Sequence, residues 1–349
     1  MKKLTLLLLV TMLSLVGMSR DLSAQVADQV YLGKGAPVRG VITKMSAAEI
    51  TVTINTVDRK YAVNEIQRVS LADASAGLQM ALSAIRSSRI EEAKTELDKI
   101  DAGAIKNKYV KQEVLFSQAY CAARLALLGQ FDIGKAGGLL KAFVDGHKDS
   151  YHYYEAQQLF GDLAVTNGSY AIAAEAYATI RQAPWPEYKL RGSVLQANAL
   201  IGSGQFPKAL TSYEAVLKVR PSTPEGRQQH TLAQVGKAHC LAETGKATEG
   251  VAMIREVLKN NDPKEQPQLF GRAYNVLGAC YRKDNKPQDA LLAYLHTDLL
   301  FYSEPQVHAE SLYYLSQLWA SVKKTDRANR ARGLLRQRYA SSVWANKEQ

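Results

Sequence analysis

Residues 273–297 read AYNVLGACYRKDNKPQDALLAYLHT. Tyr274, Leu277, Gly278 and Tyr281 recur at the spacing of one helix face, and Ala290 and Tyr294 begin a second such face beyond the polar break Asp284-Asn285-Lys286. Two apolar stripes joined by so short a break describe an antiparallel helix pair. Its small residues, Gly278 and Ala290, belong where two helices approach closely, because backbones come together only where side chains are small.

The same pair of small residues repeats along the chain. A first column runs Ala81, Ala119, Gly161, Ala197, Ala238, Gly278, Ser316, at intervals of 36 to 42 residues. A second runs Ala93, Ala136, Ala173, Ala209, Gly250, Ala290, Ala328, and it follows the first by 12 residues in six units and by 17 in the unit of Ala119. Four residues after the second column come Leu97, Leu140, Tyr177, Tyr213, Ile254, Tyr294 and Arg332, so the second helix carries an apolar stripe in nearly every unit. Gly168, Gly204, Gly245 and Asn285 are expected turns between paired helices, and Pro184, Pro221, Pro263 and Pro305 are expected to mark helix ends. A period near 40 residues means an array in which each helix pair leans on its neighbours.

These residues resemble the tetratricopeptide repeat. The unit of Tyr274, Leu277, Gly278, Tyr281, Ala290 and Tyr294 is similar to the pattern W-x₂-L-G-x₂-Y…A-x₃-F, with Tyr standing for Trp and for Phe. The resemblance extends over residues 74–345, about seven helical hairpins. Most units are longer than the family's, and the insertion after Ala119, near Gly134, Gly137 and Gly138, marks an expected break in the superhelix. The resemblance implies a mainly α fold, an α-α superhelix whose first helices line a concave groove that binds protein. Carried onto this chain, the groove positions are Gln158 and Asp162 in one unit, then Arg191 and Asn198, then His239 and Glu243. Arg272, Asn275, Arg282 and Lys283 follow in the next. The Lys/Asn set that some members use to clamp a C-terminal carboxylate is incomplete. The arginines and Lys283 suit an acidic segment held by charge-assisted hydrogen bonds. The implied partner is an extended or helical segment of another protein. The ending LLRQRYASSVWA (334–345) resembles the ends of repeat-containing envelope proteins.

Residues 28–73 follow another pattern. Gln29–Leu32, Val38–Lys44, Ile50–Ile54 and Lys60–Val63 are short Val, Ile, Thr and Tyr-rich runs, with Ile66, Val69 and Leu71 as a last one. In order, the segments VRGVITKM, EITVTIN and YAVNEIQRV resemble a small Sm-like or SH3-like β-barrel. Sm-like barrels bind RNA and SH3-like barrels bind peptides or cell-wall material. Charges here nearly balance, and only Tyr31 and Tyr61 are present to stack on bases, so a structural or docking module is expected.

Ahead of it, Lys2 and Lys3, the apolar run Leu4–Val16 and the small residues up to Ala24 form the pattern of a signal peptide over residues 1–24, cut after Ala24. The alternative is an uncleaved anchor. An exported, periplasmic or secreted protein is therefore expected.

The chain has 349 residues, with 44 Lys and Arg against 33 Asp and Glu. Much of the +11 excess sits in residues 321–349, where Lys323, Lys324, Arg327, Arg330, Arg332, Arg336, Arg338 and Lys347 face only Asp326 and Glu348. That basic helix suits the polar cap a repeat array needs, or contact with an anionic membrane. No nucleic-acid partner is expected. Three cysteines exclude a disulfide scaffold; Cys240 and Cys280, two residues after the small column, read as small buried hydrophobes. No His or Cys spacing fits a metal, no phosphate loop or nucleophile elbow occurs, and no cofactor or catalytic group is expected. Glu91, Glu92 and Asp98 beside Lys94 and Lys99 read as a solvated helix face. The run YHYYEAQQLF (151–160) reads as packing at a helix entry, with a sugar or peptide platform as its alternative. The function expected is a non-catalytic scaffold or adaptor. A glycan- or peptidoglycan-binding module, using the barrel and Tyr151–Tyr154, is the alternative.

Overall fold

A computed structural model describes residues 27–33 and 35–347. The leader assigned to residues 1–24, with its cut after Ala24, lies outside them.

Five antiparallel strands come first: β1 (Asp28–Leu32), β2 (Val38–Met45), β3 (Glu49–Ile54), β4 (Val57–Ala62) and β5 (Ile66–Ser70). Their order is β4-β3-β2-β1-β5. Asn55 and Thr56, at φ 47° and 68°, make the two-residue turn from β3 to β4 that matches strand twist. A closed barrel would need β4 to pair with β5. Among the described residues no such ladder exists, so the expected barrel is corrected to an open sheet. Irregular register in β1/β5 and β2/β3 bends it. Its apolar face does not form a core of its own. Val30, Ile50 and Val52 share one buried cluster with Leu78, Ala81, Leu97 and Val114 of the first helices. The helical array thus completes the sheet, and the sheet covers the array's first end.

Fifteen α-helices follow among the described residues. They form seven hairpins: α1 (Ala76–Arg86) with α2 (Ile90–Leu97), α3 (Lys108–Leu127) with α4 (Ile133–Gly146), and α5 (Tyr153–Thr166) with α6 (Tyr170–Ile180). Then come α7 (Pro186–Gly202) with α8 (Phe206–Lys218), α9 (Pro224–Glu243) with α10 (Ala247–Lys259), and α11 (Pro267–Lys283) with α12 (Pro287–Leu300). The last is α13 (Pro305–Ser321) with α14 (Thr325–Arg338), and a single turn, α15 (Val343–Asn346), ends the array.

One turn geometry joins all seven pairs. A left-handed residue closes each first helix: Ser88, Gly129, Gly168, Gly204, Gly245, Asn285, Lys323, at φ from 56° to 88°. The next amide bonds back five residues, as from Gln205 N to Leu200 O at 2.8 Å and Lys286 N to Tyr281 O at 2.9 Å. That is the helix-ending motif in which a left-handed residue lets orphan carbonyls be satisfied. Ser88, Gly129 and Lys323 fill this place without having been singled out in the sequence. Pro305 is corrected: it opens α13 rather than ending a helix, since Pro at a first helical turn loses no hydrogen bond.

The small-residue columns are the helix contact points. A Cβ on Gly161 would stand 2.4 Å from the Tyr177 ring, and one on Gly278 would stand 2.7 Å from that of Tyr294. Both tyrosines are buried, Tyr294 completely. The five extra residues of the second unit do not break its hairpin. They lengthen α3 by about one turn and widen its loop. From the fourth hairpin on, first helices meet first helices, α7 with α9, α9 with α11 and α11 with α13. This makes them the inner layer.

Candidate binding groove on the inner face

Side chains from five consecutive hairpins, most of them on first helices, surround one cavity of about 500 Å³. The third hairpin supplies Val165 and Tyr170, the fourth Asn198 and Phe206, and the fifth Val235, His239 and Glu243. The sixth supplies Arg272, Val276, Arg282 and Lys283, and the seventh Gln306, Glu310 and Tyr314. Trp344 and Lys347 close the end from α15. Six of the ten groove residues expected from the sequence therefore meet here: Asn198, His239, Glu243, Arg272, Arg282 and Lys283.

The other four stand elsewhere. Asp162 accepts a hydrogen bond from the Tyr177 hydroxyl at 2.7 Å. Burial lifts its carboxyl to about 6 against the pull of Tyr177, Arg272 and Gln158, which lies beside it. Asn198 does the same for Tyr213, at 2.6 Å, one hairpin on. Both residues follow a small-column residue, so their position serves the tyrosine of their own unit. Asn275 is not an exposed groove position. It is 2% exposed and donates to Val307 O at 2.8 Å and to Glu310 Oε2 at 3.1 Å, tying α11 to α13. Its Oδ1 is buried without a partner. Arg191 lies over the Tyr188 ring, 4.7 Å from the centroid, away from the cavity.

Two of the groove's cations are paired with carboxylates. Lys283 pairs with Glu243 at 2.7 Å, Arg272 pairs with Glu304, and Arg282 lies 3.8 Å from the centroid of Tyr314. An acidic occupant would compete with Glu243 and Glu304 for Lys283 and Arg272, whereas Arg282 has no carboxylate to displace among the described residues. The groove's open polar group is His239, whose ring nitrogens have no hydrogen-bond partner among the described residues. Burial lowers its pKa, so it stands neutral at pH 7, one nitrogen donating and the other accepting. Gln306, Glu310 and Tyr314 were missed in the sequence because the seventh unit reads there only as an apolar helix. Trp344 reaches the groove by packing on Tyr313 and Tyr314, at 5.3 and 5.5 Å between centroids.

The aromatic run from Tyr151 packs at a helix entry. Tyr151 donates to Glu113 Oε2 at 3.0 Å, His152 stacks on Phe116 at 3.7 Å, and Tyr154 meets Trp185 and Tyr188 edge-on. Cys121, Cys240 and Cys280 are free, buried thiols, each pushed up to about 12 by burial. Lys94 and Lys99 pair with Asp98 and Glu96 on a solvated face.

Residues 194–263, the fourth and fifth hairpins, match the tetratricopeptide repeat family. The fold is the solenoid of that repeat. A tetratricopeptide repeat protein from Parabacteroides merdae is similar over 75% of this chain and 91% of its own, at 13% identity and a TM-score of 0.51. A Rap protein solved in complex with competence and sporulation factor is similar over 78% of this chain and 77% of its own, at 12% identity and a TM-score of 0.52. No curated protein matches the chain by sequence.

Proposed function

We propose that this chain is an exported, non-catalytic scaffold whose inner groove holds an extended or helical segment of another protein. The observation that carries this reading is the single cavity shared by five hairpins, with the unpartnered imidazole of His239 in its wall. A stacked array gives a long, preformed surface, and preformed surfaces lower the entropic cost of holding a segment. Arg282, which no carboxylate answers among the described residues, would meet an acidic side chain of the segment. Apolar side chains would lie against Val235, Val276 and Trp344, and a backbone amide or carbonyl would meet His239. The Rap protein's complex with competence and sporulation factor gives the reading a precedent within the fold. The leader pattern of Met1–Ala24 supports export.

Two experiments test it. Filling the groove with His239→Trp and reversing a wall charge with Lys283→Glu should abolish recovery of the native partner in pull-down; unchanged recovery would sink the proposal. Mass spectrometry of the chain from the exported fraction should find it beginning at Gln25, and a chain retained in the cytoplasm with Met1 intact would refute export.

A further inference from the structure

On the outer layer, α12 breaks the rule that its neighbours keep. Leu292 is 55% exposed, Leu299 65% and Tyr302, just past the helix, 54%. With half-buried Leu295, Leu292 and Leu299 are spaced three and four apart, so they form one row along one helix face, and Tyr302 lines the groove beyond its end. The residues equivalent to Leu295 and Leu299 are Arg255 and Lys259 in α10, and Glu214 and Lys218 in α8. Those helices turn a polar face to water, as a surface helix must. The opposite face of α12 is already used: Ala290, Ala293, Tyr294 and Thr297 are buried against the array. A helix apolar on both faces needs cover on both.

Beside this row runs α14. Arg327, Arg330 and Arg338 lie on one of its faces and are exposed. Together with Leu312 and Leu315 of α13, the two helices enclose a groove of about 600 Å³. None of the three arginines pairs with a carboxylate among the described residues; Arg327 only lies over Trp319, 4.7 Å from its centroid. The groove's acid, Asp298, is occupied by His308 Nε2 at 2.9 Å. One wall is therefore bare leucine and the other guanidinium that no carboxylate neutralises. We propose that this outer groove docks an acidic amphipathic segment of a partner protein, with leucine-like side chains on the α12 row and carboxylates on the arginines. The charge of α14 selects the acidic occupant, and its place on one wall of a cleft suits a segment lying between two helices better than a flat bilayer. This site is separate from the inner groove.

The test is fluorescence anisotropy with a labelled 18-residue helical peptide, Leu on one face and Glu on the other, beside an analogue with Gln for Glu. The acidic peptide should bind the full chain at least about tenfold more tightly than the Gln analogue at low salt, and weaken as salt rises. Leu299→Asp, and Arg327→Glu with Arg330→Glu, should each cost about tenfold or more, while His239→Trp changes nothing. These side chains are exposed, so circular dichroism should show an intact fold; Leu299→Asn serves if Leu299→Asp does not fold. No binding, equal binding of the Gln analogue, or indifference to the outer variants would overturn the proposal. So would either alternative occupant. One is self-association in sedimentation velocity that Leu299→Asp abolishes without peptide binding. The other is binding to phosphatidylcholine/phosphatidylglycerol vesicles that the arginine variants abolish without peptide binding.

Discussion

Gln306, in the seventh hairpin, donates through Nε2 to Thr166 Oγ1 of the third at 2.6 Å, and to Asp162 O at 3.0 Å. Residues 140 positions apart are thus joined across the inner face. Val343 also stands against Gly168, where an added Cβ would lie 3.2 Å from its methyl. The third and seventh hairpins therefore meet across the inner face and bound the groove between them. Gln306→Ala should lower stability by only about 1 kcal/mol, as for one hydrogen-bonded side chain. Its larger effect should be local: faster amide exchange at the end of α5 and in α15, read by hydrogen-exchange mass spectrometry, with the first hairpin unchanged. Uniform exchange would show that the contact does not hold the third and seventh hairpins together.

Two glycine substitutions should act in opposite directions. Gly278→Ala drives a methyl into the enclosed Tyr294 ring and should cost about 1–3 kcal/mol. Gly137 lies within α4 with nothing within 4 Å of an added Cβ, so Gly137→Ala should add about 0.5–1 kcal/mol by restricting the unfolded chain. Urea unfolding of the two variants reads both signs. Stabilisation by Gly278→Ala would contradict the close approach of α11 and α12.

His152 should make stability depend on pH on the alkaline side. Burial pulls its pKa down, but Glu113 and Glu155 outweigh that and hold it at about 9. The folded value lies above the unfolded one, so its contribution is complete below about pH 6.5 and disappears as pH rises through 9. In thermal melts from pH 7 to 10, the advantage of the native chain over His152→Gln should shrink with rising pH. A constant difference would mean that the imidazole is not charged in the fold.

Asp162 works in the opposite sense. Its pKa is raised to about 6, chiefly by burial, so the folded state favours the protonated carboxyl and this group's contribution falls as pH rises from about 4 to 6. Asp162→Asn keeps an acceptor for Tyr177 and removes the charge. It should raise Tm relative to the native chain at pH 7.5 and lose that advantage near pH 4. A lower Tm at pH 7.5 would mean that attraction to Arg272 dominates.

Local periodicity made the helix pairs legible. The small columns, the tyrosines that fill them and the turn glycines act within about 40 residues, and the structure places each as the spacing required. What the sequence hid is long-range. The meeting of the third and seventh hairpins depends on Gln306 reaching Thr166, and no period carries that contact. The groove positions on the inner helices were readable as positions, but not their partners: Lys283 is spent on Glu243 and Asn275 on α13, both set by neighbouring hairpins. The small sheet looked like a closed barrel because alternation shows strands but not whether the outer two meet. Here α1 and α3 cover the apolar face instead.

The central claim is that the inner groove receives one segment of a partner. The most direct measurement is photocrosslinking in the native source, with a photoreactive residue at position 239 and, as a control, at exposed Glu256 on α10. Position 239 should give crosslinks to a single contiguous segment of one protein, competed away by a synthetic peptide of that segment, and position 256 should not. Crosslinks from both positions to the same segment, or none from 239, would contradict the account.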